Sequence, residues 1–259
     1  MFALVFSMTY SALCAPATQR DGCLNHQKLS TRPGRLGKIS QSTKLAESSD
    51  YEIERGSILE NEGDLENSKI WYLKAARQGD SVGQYNVGRI CAQGEEGRSQ
   101  PDYHCAIKWF YLSASQDNQD AQYALGMLYF GGVGVPKNYD LVRKWIEKSA
   151  LNGSARAQAM LGTIYQEGIG LGRSYKLATF WFRRAANQNL ATAQFQLGLQ
   201  YLHGYGVSRN ELTALMWFFI AKNHGASVSD GTLQRIKDRL GSAGVKKAQE
   251  MAQNWHCRA

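Results

Sequence analysis

Histidine side chains are the first candidates for chemistry in this sequence, because imidazole serves both metal binding and acid–base catalysis. The five histidines are His26, His104, His203, His224 and His256. None of them has a second candidate ligand at the spacing of a metal site, and no Gly-x-Ser-x-Gly or Ser-x-x-Lys nucleophile motif occurs in the chain. We therefore expect no catalytic residue, no metal site and no cofactor.

A glycine-rich segment offers a second kind of chemistry, phosphate binding. Gly168, Gly170 and Gly172 alternate with apolar residues, as in a dinucleotide-binding loop. Such a loop needs a preceding strand and the turn of a βαβ unit. Here the glycines lie between two predicted helices and have counterparts elsewhere in the chain, so we interpret them as structural.

Two of the five cysteines, Cys91 and Cys105, fall close together in the patterned part of the chain. In an antiparallel helix pair both would lie about one turn from the connecting loop, which could bring their Cα atoms within the ~5.5 Å typical of a disulfide. The alternative is two buried free thiols that pack as small hydrophobes. We expect the bridge in an oxidising compartment and not in the cytosol. No Cys-x-x-Cys pair indicates a zinc ribbon.

The elements that position these residues follow from a ladder of tryptophans. The ladder consists of Trp71, Trp109, Trp145, Trp181 and Trp217, with steps of 38, 36, 36 and 36 residues. A fixed period of this size is typical of stacked copies of one supersecondary unit. Eight residues beyond each tryptophan stands a residue type that tolerates positive φ and can end a helix. These residues are Gly79, Asp117, Gly153, Asn189 and Gly225.

Each repeat is predicted to contain a helix A, a glycine-bearing loop, a helix B with the tryptophan, and a tight turn. Four helix-A glycines recur, at Gly88, Gly126, Gly162 and Gly198. A mid-helix glycine costs ~1 kcal/mol relative to alanine, so we expect helix B to approach closely, with the tryptophan and a small pair filling the groove. Gly56 stands 15 residues before Trp71, which predicts a shorter loop in the first unit.

The repeated motifs Ala-Gln-x-x-Leu-Gly-x-x-Tyr, Gly-x-Gly-Val and Trp-x-x-x-Ala-Ala are clearest in residues 121–153. Over about residues 50–226 they resemble the Sel1-like repeat, a relative of the tetratricopeptide repeat. The resemblance implies an all-α fold, namely an α/α solenoid used as an adaptor. Some exported members of the family join their helix pairs by disulfides. We expect a right-handed superhelix of about five helix pairs, with helices A on the concave side. Residues 227–259 are predicted to form a C-terminal cap in which Trp255 closes the last groove.

The residues that precede the repeats bear on localisation. Residues 2–14 are apolar and small residues follow, which predicts a signal peptide over residues 1–17. The apolar run is too short for an integral membrane span. No lysine or arginine precedes it, and the Ser/Thr/Lys/Arg-rich residues 18–46 leave a mitochondrial transit peptide as the alternative. We therefore expect a periplasmic or secreted protein, with a mitochondrial location as the second hypothesis.

The formal net charge of +8 is uneven. Residues 1–49 hold six basic and two acidic residues and so contribute half of it. Residues 18–49 have no helical or strand periodicity and are predicted to form a disordered basic arm. A nucleic-acid-binding protein would concentrate its positive charge on a folded face, so we expect no nucleic-acid partner.

Function is expected where the repeats differ. On helix A, the positions around the glycine that vary are rich in aromatic and apolar side chains. The candidate partner-binding residues, called the helix-A set below, are Tyr85, Arg89, Tyr123, Met127, Phe130, Thr163, Gln166, Phe195, Leu199 and Leu202. Such a face suits a protein or peptide partner, although Tyr123 and Phe195 could instead pack against adjacent repeats. We predict a non-catalytic interaction scaffold; the alternatives are an organelle-targeted assembly factor and an envelope-associated enzyme.

Overall fold

The computed structural model describes residues 48–94 and 100–255. Within these ranges the chain contains helices and no strand, which confirms the predicted all-α fold. The helices are α1 (Ser49–Asn61), α2 (Leu65–Arg77), α3 (Ser81–Gln93), α4 (Tyr103–Ser115), α5 (Gln119–Gly131), α6 (Tyr139–Leu151), α7 (Ala155–Glu167), α8 (Tyr175–Ala186), α9 (Ala191–His203), α10 (Glu211–Asn223) and α11 (Asp230–Gln253). The predicted signal peptide and all but the last two residues of the predicted basic arm lie outside the described residues.

The chain forms two compact units, one ending at Asn138 and the other beginning at Tyr139. The first unit contains α1 to α5 and the second contains α6 to α11. In each unit every helix packs on the next one along the chain. Odd-numbered helices α1 to α9 are the predicted helices A, and even-numbered helices α2 to α10 are the helices B.

The tight turns after the helices B have the backbone that the sequence predicts. Positive φ occurs at each of the five positions, at 90° for Gly79, 64° for Asp117, 101° for Gly153, 62° for Asn189 and 89° for Gly225. A side-chain cap then starts most of the following helices: Asp80, for example, accepts from the backbone N–H groups of Val82 and Gly83 at 2.8 and 2.9 Å.

Close approach of helix B to the helix-A glycine is confirmed, but the aromatic side chain that makes it is not the tryptophan. A Cβ atom added at Gly88, Gly162 or Gly198 would lie 2.6–2.7 Å from a ring atom of Phe110, Phe182 or Phe218, respectively. Gly56 has the same relation to Tyr72, at 2.7 Å. Each of these aromatics directly follows a ladder tryptophan.

The tryptophans themselves lie at the side of this contact. Trp145 and Trp217 are 7% and 6% exposed, whereas Trp71, Trp109 and Trp181 are only half-buried. Successive helical positions are turned about 100° apart, so only one of two neighbouring side chains can face the glycine. The prediction that the tryptophan fills the groove was therefore wrong by one residue.

Buried glutamines join each repeat to the one before it. Four residues before the helix-A glycine, a glutamine donates from Nε2 to a carbonyl oxygen in the last turn of the preceding helix B. The donor–acceptor pairs are Gln84–Ala76 at 3.4 Å and Gln122–Ala114, Gln158–Ala150 and Gln194–Ala186 at 3.1 Å. Each bond gives a second donor to a carbonyl at the end of a helix B, which also accepts from the N–H of the positive-φ turn residue.

The Oε1 atom of the glutamine amide also accepts a hydrogen bond, as Gln84 and Gln158 show. Gln188 donates to the Oε1 atom of Gln158 at 2.8 Å and to the Gly153 carbonyl at 2.9 Å, and Gln116 makes the equivalent bonds in the first unit. In α1 the glutamine position holds Glu52, which is 6% exposed and accepts from Gln78 at 2.9 Å. A carboxylate only accepts hydrogen bonds, which suits a first repeat with no described helix B before it.

The last helix, α11, is interrupted at Gly241, where φ is 63° and ψ is 179°. The glycine divides α11 into two segments. Leu233, Ile236 and Ala248 of this helix form one apolar cluster with buried residues of α10. Trp255 lies beyond α11, with its ring centroid 5.3 Å from that of Trp217.

Candidate functional site

The structure joins Cys91 and Cys105 in a disulfide, with Cα atoms 5.9 Å apart. Cys91 lies in the last turn of α3 and Cys105 in the first turn of α4. Asp102 holds the two ends together, because its N–H donates to the Cys91 carbonyl at 2.8 Å and its side chain accepts from the Cys105 N–H at 2.9 Å. Of the two sequence hypotheses for these cysteines, the structure has the bridge rather than the free thiols.

In the first unit the helix-A set divides by burial. Tyr123 and Met127 are each 8% exposed, so packing uses most of their surface. Tyr85 and Phe130 are half-buried. The ring of Tyr85 lies 5.8 Å from that of Phe110.

Arg89, another predicted partner contact, is 5% exposed and belongs to a buried polar cluster. Its Nη2 atom donates to the Glu60 carboxylate at 2.6 Å, and the Tyr72 hydroxyl donates to the same carboxylate at 3.0 Å. Burial and the charge of Glu60 raise the pKa of Tyr72 to about 12. Glu60 and Arg89 are 29 residues apart, and no sequence pattern pointed to their pairing.

In the second unit the polar members of the helix-A set are hydrogen-bonded within the fold. The Thr163 hydroxyl donates to the Ala159 carbonyl of its own helix at 3.2 Å. The Oε1 atom of Gln166 accepts from Gln200 at 2.7 Å. Both Thr163 and Gln166 remain half-buried, so each presents part of its surface beside these bonds.

The apolar members of the second unit lie together. Phe195, Leu199 and Leu202 on α9 pack, partly buried, against the cluster formed by α10 and α11. The Phe195 ring is 5.6 Å from the Phe218 ring, so this side chain does contribute to packing between helices. Its exposed part, with those of the two leucines, forms an uncharged apolar surface along α9.

Leu202 also lines a cleft of about 280 Å³ that sequence reasoning missed. The other lining residues are His203, Arg209, Thr232, Arg235, Ile236 and Arg239. They come from α9, the loop after it and α11, and this separation along the chain hides the cluster from motif analysis. The four-residue spacing of Arg235 and Arg239 on one helix was the available signal.

Candidate metal-ligating side chains do not cluster in the described part of the chain. Among residues 48–94 and 100–255, no group of three His, Cys, Asp or Glu side chains could hold a metal ion. No helix in those ranges combines the length and apolar character needed to cross a bilayer. The surface that remains as a candidate site is the half-buried part of the helix-A set.

Comparison with known proteins identifies the repeat. The family model of the Sel1 repeat matches five consecutive segments, residues 43–80, 81–118, 119–154, 155–190 and 191–225. These segments cover well over half of the chain. Among curated proteins, none matched significantly.

Two solved structures are similar to this chain. One is a protective antigen present in uropathogenic Escherichia coli strains that displays an SLR fold, with a TM-score of 0.69 and 29% identity over 83% of this chain and 46% of that chain. The other is a Sel1 repeat protein from Oxalobacter formigenes, with a TM-score of 0.66 and 27% identity over 82% of this chain and 87% of that chain. The chain thus spans less than half the length of the E. coli antigen. With the family match, these similarities identify the fold as an all-α helical repeat solenoid.

Proposed function

The chain belongs to the Sel1 repeat family, and we propose that it is an exported, non-catalytic scaffold that binds a partner protein or peptide through its helix-A set. Sel1 repeat proteins generally mediate protein–protein interaction, and the family is typically non-catalytic. The finer parts of the proposal are the export, the face that binds and the chemistry of the partner.

One observation carries the choice of face. The shared positions of helix A are used for packing. Each of the four glutamines bonds the preceding helix B, and a helix-B aromatic covers Gly56, Gly88, Gly162 and Gly198. Among the varying positions, Phe130, Leu199 and Leu202 keep part of their surface exposed, whereas Arg89, Tyr123 and Met127 are buried. Aromatic and apolar side chains in such positions favour recognition of an extended or helical peptide.

The disulfide supports the proposal of export. Bridges such as Cys91–Cys105 persist in oxidising compartments and are rare in the cytosol. Protein purified from its native host under non-reducing conditions, and alkylated before digestion, should yield the 91–105 cross-linked peptide. Two alkylated thiols at these positions would argue against export.

A pull-down from host extract tests the binding face. Phe130→Ser and Tyr85→Ser replace half-buried aromatics of the helix-A set and should each lose the specific partner that the wild type retains. Tyr123 and Met127 are poorer targets, since truncating such buried side chains destabilises the core.

Tyr111→Ser is the matched control for the pull-down. Tyr111 is an aromatic residue of helix B in the same unit and is 57% exposed. Thermal melts establish that each variant is folded before its binding is compared. Retention of every partner by both helix-A variants, or loss only in Tyr111→Ser, would rule out the helix-A face.

A further inference from the structure

The cleft between α9, the following loop and α11 combines an apolar floor with guanidinium groups. Half-buried Leu202 supplies apolar surface to the cleft, whereas Ile236 is only 1% exposed and offers almost none. The side chains of Arg209 and Arg239 are 62% and 50% exposed. These two arginines therefore keep contact with solvent, and a ligand that enters the cleft could reach them.

Glu211 offsets part of this positive charge. Its Oε1 atom accepts from Arg209 at 2.6 Å and its Oε2 atom from Arg239 at 2.8 Å. Burial acts to raise the pKa of Glu211, but the hydrogen bonds from both arginines outweigh it and the pKa is lowered. The Asp238 carboxylate, which lies on α11, accepts from Gln234 at 2.7 Å.

Arg235 has no anionic partner among the described residues. It donates to the Gly231 carbonyl at 3.3 Å and to the Thr232 hydroxyl at 3.5 Å, both neutral acceptors on its own helix at the long limit of hydrogen bonding. Arg239 stands four residues away, and like charges at that spacing destabilise a helix. Arg235 thus places in the cleft a guanidinium that pairs with no carboxylate of the described residues.

We propose that this cleft binds a carboxylate-bearing apolar segment of a partner peptide, with the carboxylate on Arg235 and an apolar side chain against Leu202. Guanidinium groups match the two oxygens of a carboxylate, and Glu211 already uses that match with Arg209 and Arg239.

The size of the cleft also favours a short segment. About 280 Å³ falls just below the ~300–1,000 Å³ of sites that enclose a whole small molecule, so one or two peptide residues would fill it. This inference rests on the proposed function, since it assigns the partner an acidic and apolar character and adds a contact beyond the helix-A set.

Fluorescence anisotropy with a labelled short peptide of alternating glutamate and leucine tests the cleft, using the full chain. Arg235→Gln should weaken binding about tenfold, because it removes a charge-assisted hydrogen bond. Lys246→Gln removes one positive charge from an exposed site on the same helix outside the cleft and should change binding less than about twofold. The glutamine–leucine analogue should bind the wild type as weakly as the glutamate–leucine peptide binds the Arg235→Gln variant.

Three results would overturn the proposal. They are failure of the wild type to bind the glutamate–leucine peptide, an equal effect of the two substitutions, and displacement of the peptide by inorganic phosphate at concentrations where free glutamate has no effect. Unchanged partner capture by Arg235→Gln in the pull-down, together with any of these, rejects the cleft and leaves the proposed function standing. Failure of the wild type to capture any partner rejects the proposed function itself.

Discussion

At the scale of single residues, Tyr72 both packs against a helix-A glycine and donates a hydrogen bond to a carboxylate. A phenylalanine covers the helix-A glycine at Gly88, Gly162 and Gly198, whereas Tyr72 does so at Gly56. The added hydroxyl donates to Glu60, which also pairs with Arg89. The aromatic position that packs on the helix-A glycine thus also donates a hydrogen bond to a half-buried carboxylate.

Tyr72 should make the first unit sensitive to alkaline pH. Its pKa rises from an ordinary value of 10.0 to about 12 on folding, so its contribution to stability is full below pH 10.0 and is lost as the pH rises toward about 12. The free energy of unfolding should fall by about 2–3 kcal/mol over that window. Urea denaturation between pH 8 and pH 12 should show this decline in wild type and a shallower one in Tyr72→Phe, where Tyr165, whose pKa burial also raises, still titrates.

The control for this titration is Tyr111→Phe, which removes an exposed phenol from the same unit. It should decline with pH as the wild type does. A decline of equal steepness in Tyr72→Phe would mean that another group governs the alkaline transition.

The helix-A glycines should resist substitution by alanine. Gly162→Ala gains ~1 kcal/mol of helix propensity, but its Cβ would lie 2.7 Å from the Phe182 ring, and overpacking costs ~1–3 kcal/mol. We expect a net loss of about 1 kcal/mol in thermal or urea unfolding. A second change, Phe182→Leu, should be less damaging in the Gly162→Ala background than alone.

Gly172→Ala is the matched comparison in the same unit, because nothing lies within 4 Å of a Cβ atom at that position. It should be close to neutral. A stabilised Gly162→Ala protein would show that the close approach of Phe182 does not explain the glycine.

At the scale of elements, stability between helices depends on the buried glutamines. Gln158 is 1% exposed, donates to Ala150 and accepts from Gln188. Gln158→Leu keeps a similar volume but leaves the Ala150 carbonyl and the Gln188 amide without this partner. The Gly153 N–H still donates to the Ala150 carbonyl, and Gln188 still donates to the Gly153 carbonyl. Because each of the two lost hydrogen bonds contributes ~0.5–1.5 kcal/mol, we expect a loss of about 1–3 kcal/mol in urea denaturation.

Gln196→Leu provides the comparison for Gln158→Leu. Gln196 is half-buried on α9 and occupies a helix-A position outside the repeated glutamine column. Its replacement should cost less than about 0.5 kcal/mol. Equal losses in the two variants would mean that the bonds of Gln158 to helix B do not determine the cost.

At the scale of the whole molecule, periodicity predicted what recurs. The tryptophan ladder, the glycine column and the positive-φ turns each repeat along the chain, so their spacing was sufficient to predict helix pairs and turn positions such as Asp117 and Asn189. The neighbour of Gly162 was misassigned because Trp181 and Phe182 are adjacent, and periodicity alone does not decide which one faces the glycine.

The candidate site was less accessible to prediction, because its members were chosen for not repeating. Arg89 differs from its counterparts in the other repeats because it forms a buried ion pair with Glu60 in the first unit. It is not an exposed cation that awaits a partner. The cleft at Arg235 depends on a loop and a capping helix outside the repeat pattern. Unique contacts of this kind follow from three-dimensional packing and leave no periodic signal.

Site-specific photo-crosslinking in the native host tests the central claim, that the helix-A face binds the partner. A benzoylphenylalanine at Phe130 replaces a half-buried helix-A aromatic, and one at Tyr111 places the same probe on an exposed helix-B position. We predict a discrete crosslinked partner from position 130 and none from position 111. A partner captured from position 111 and absent from position 130 would contradict the account.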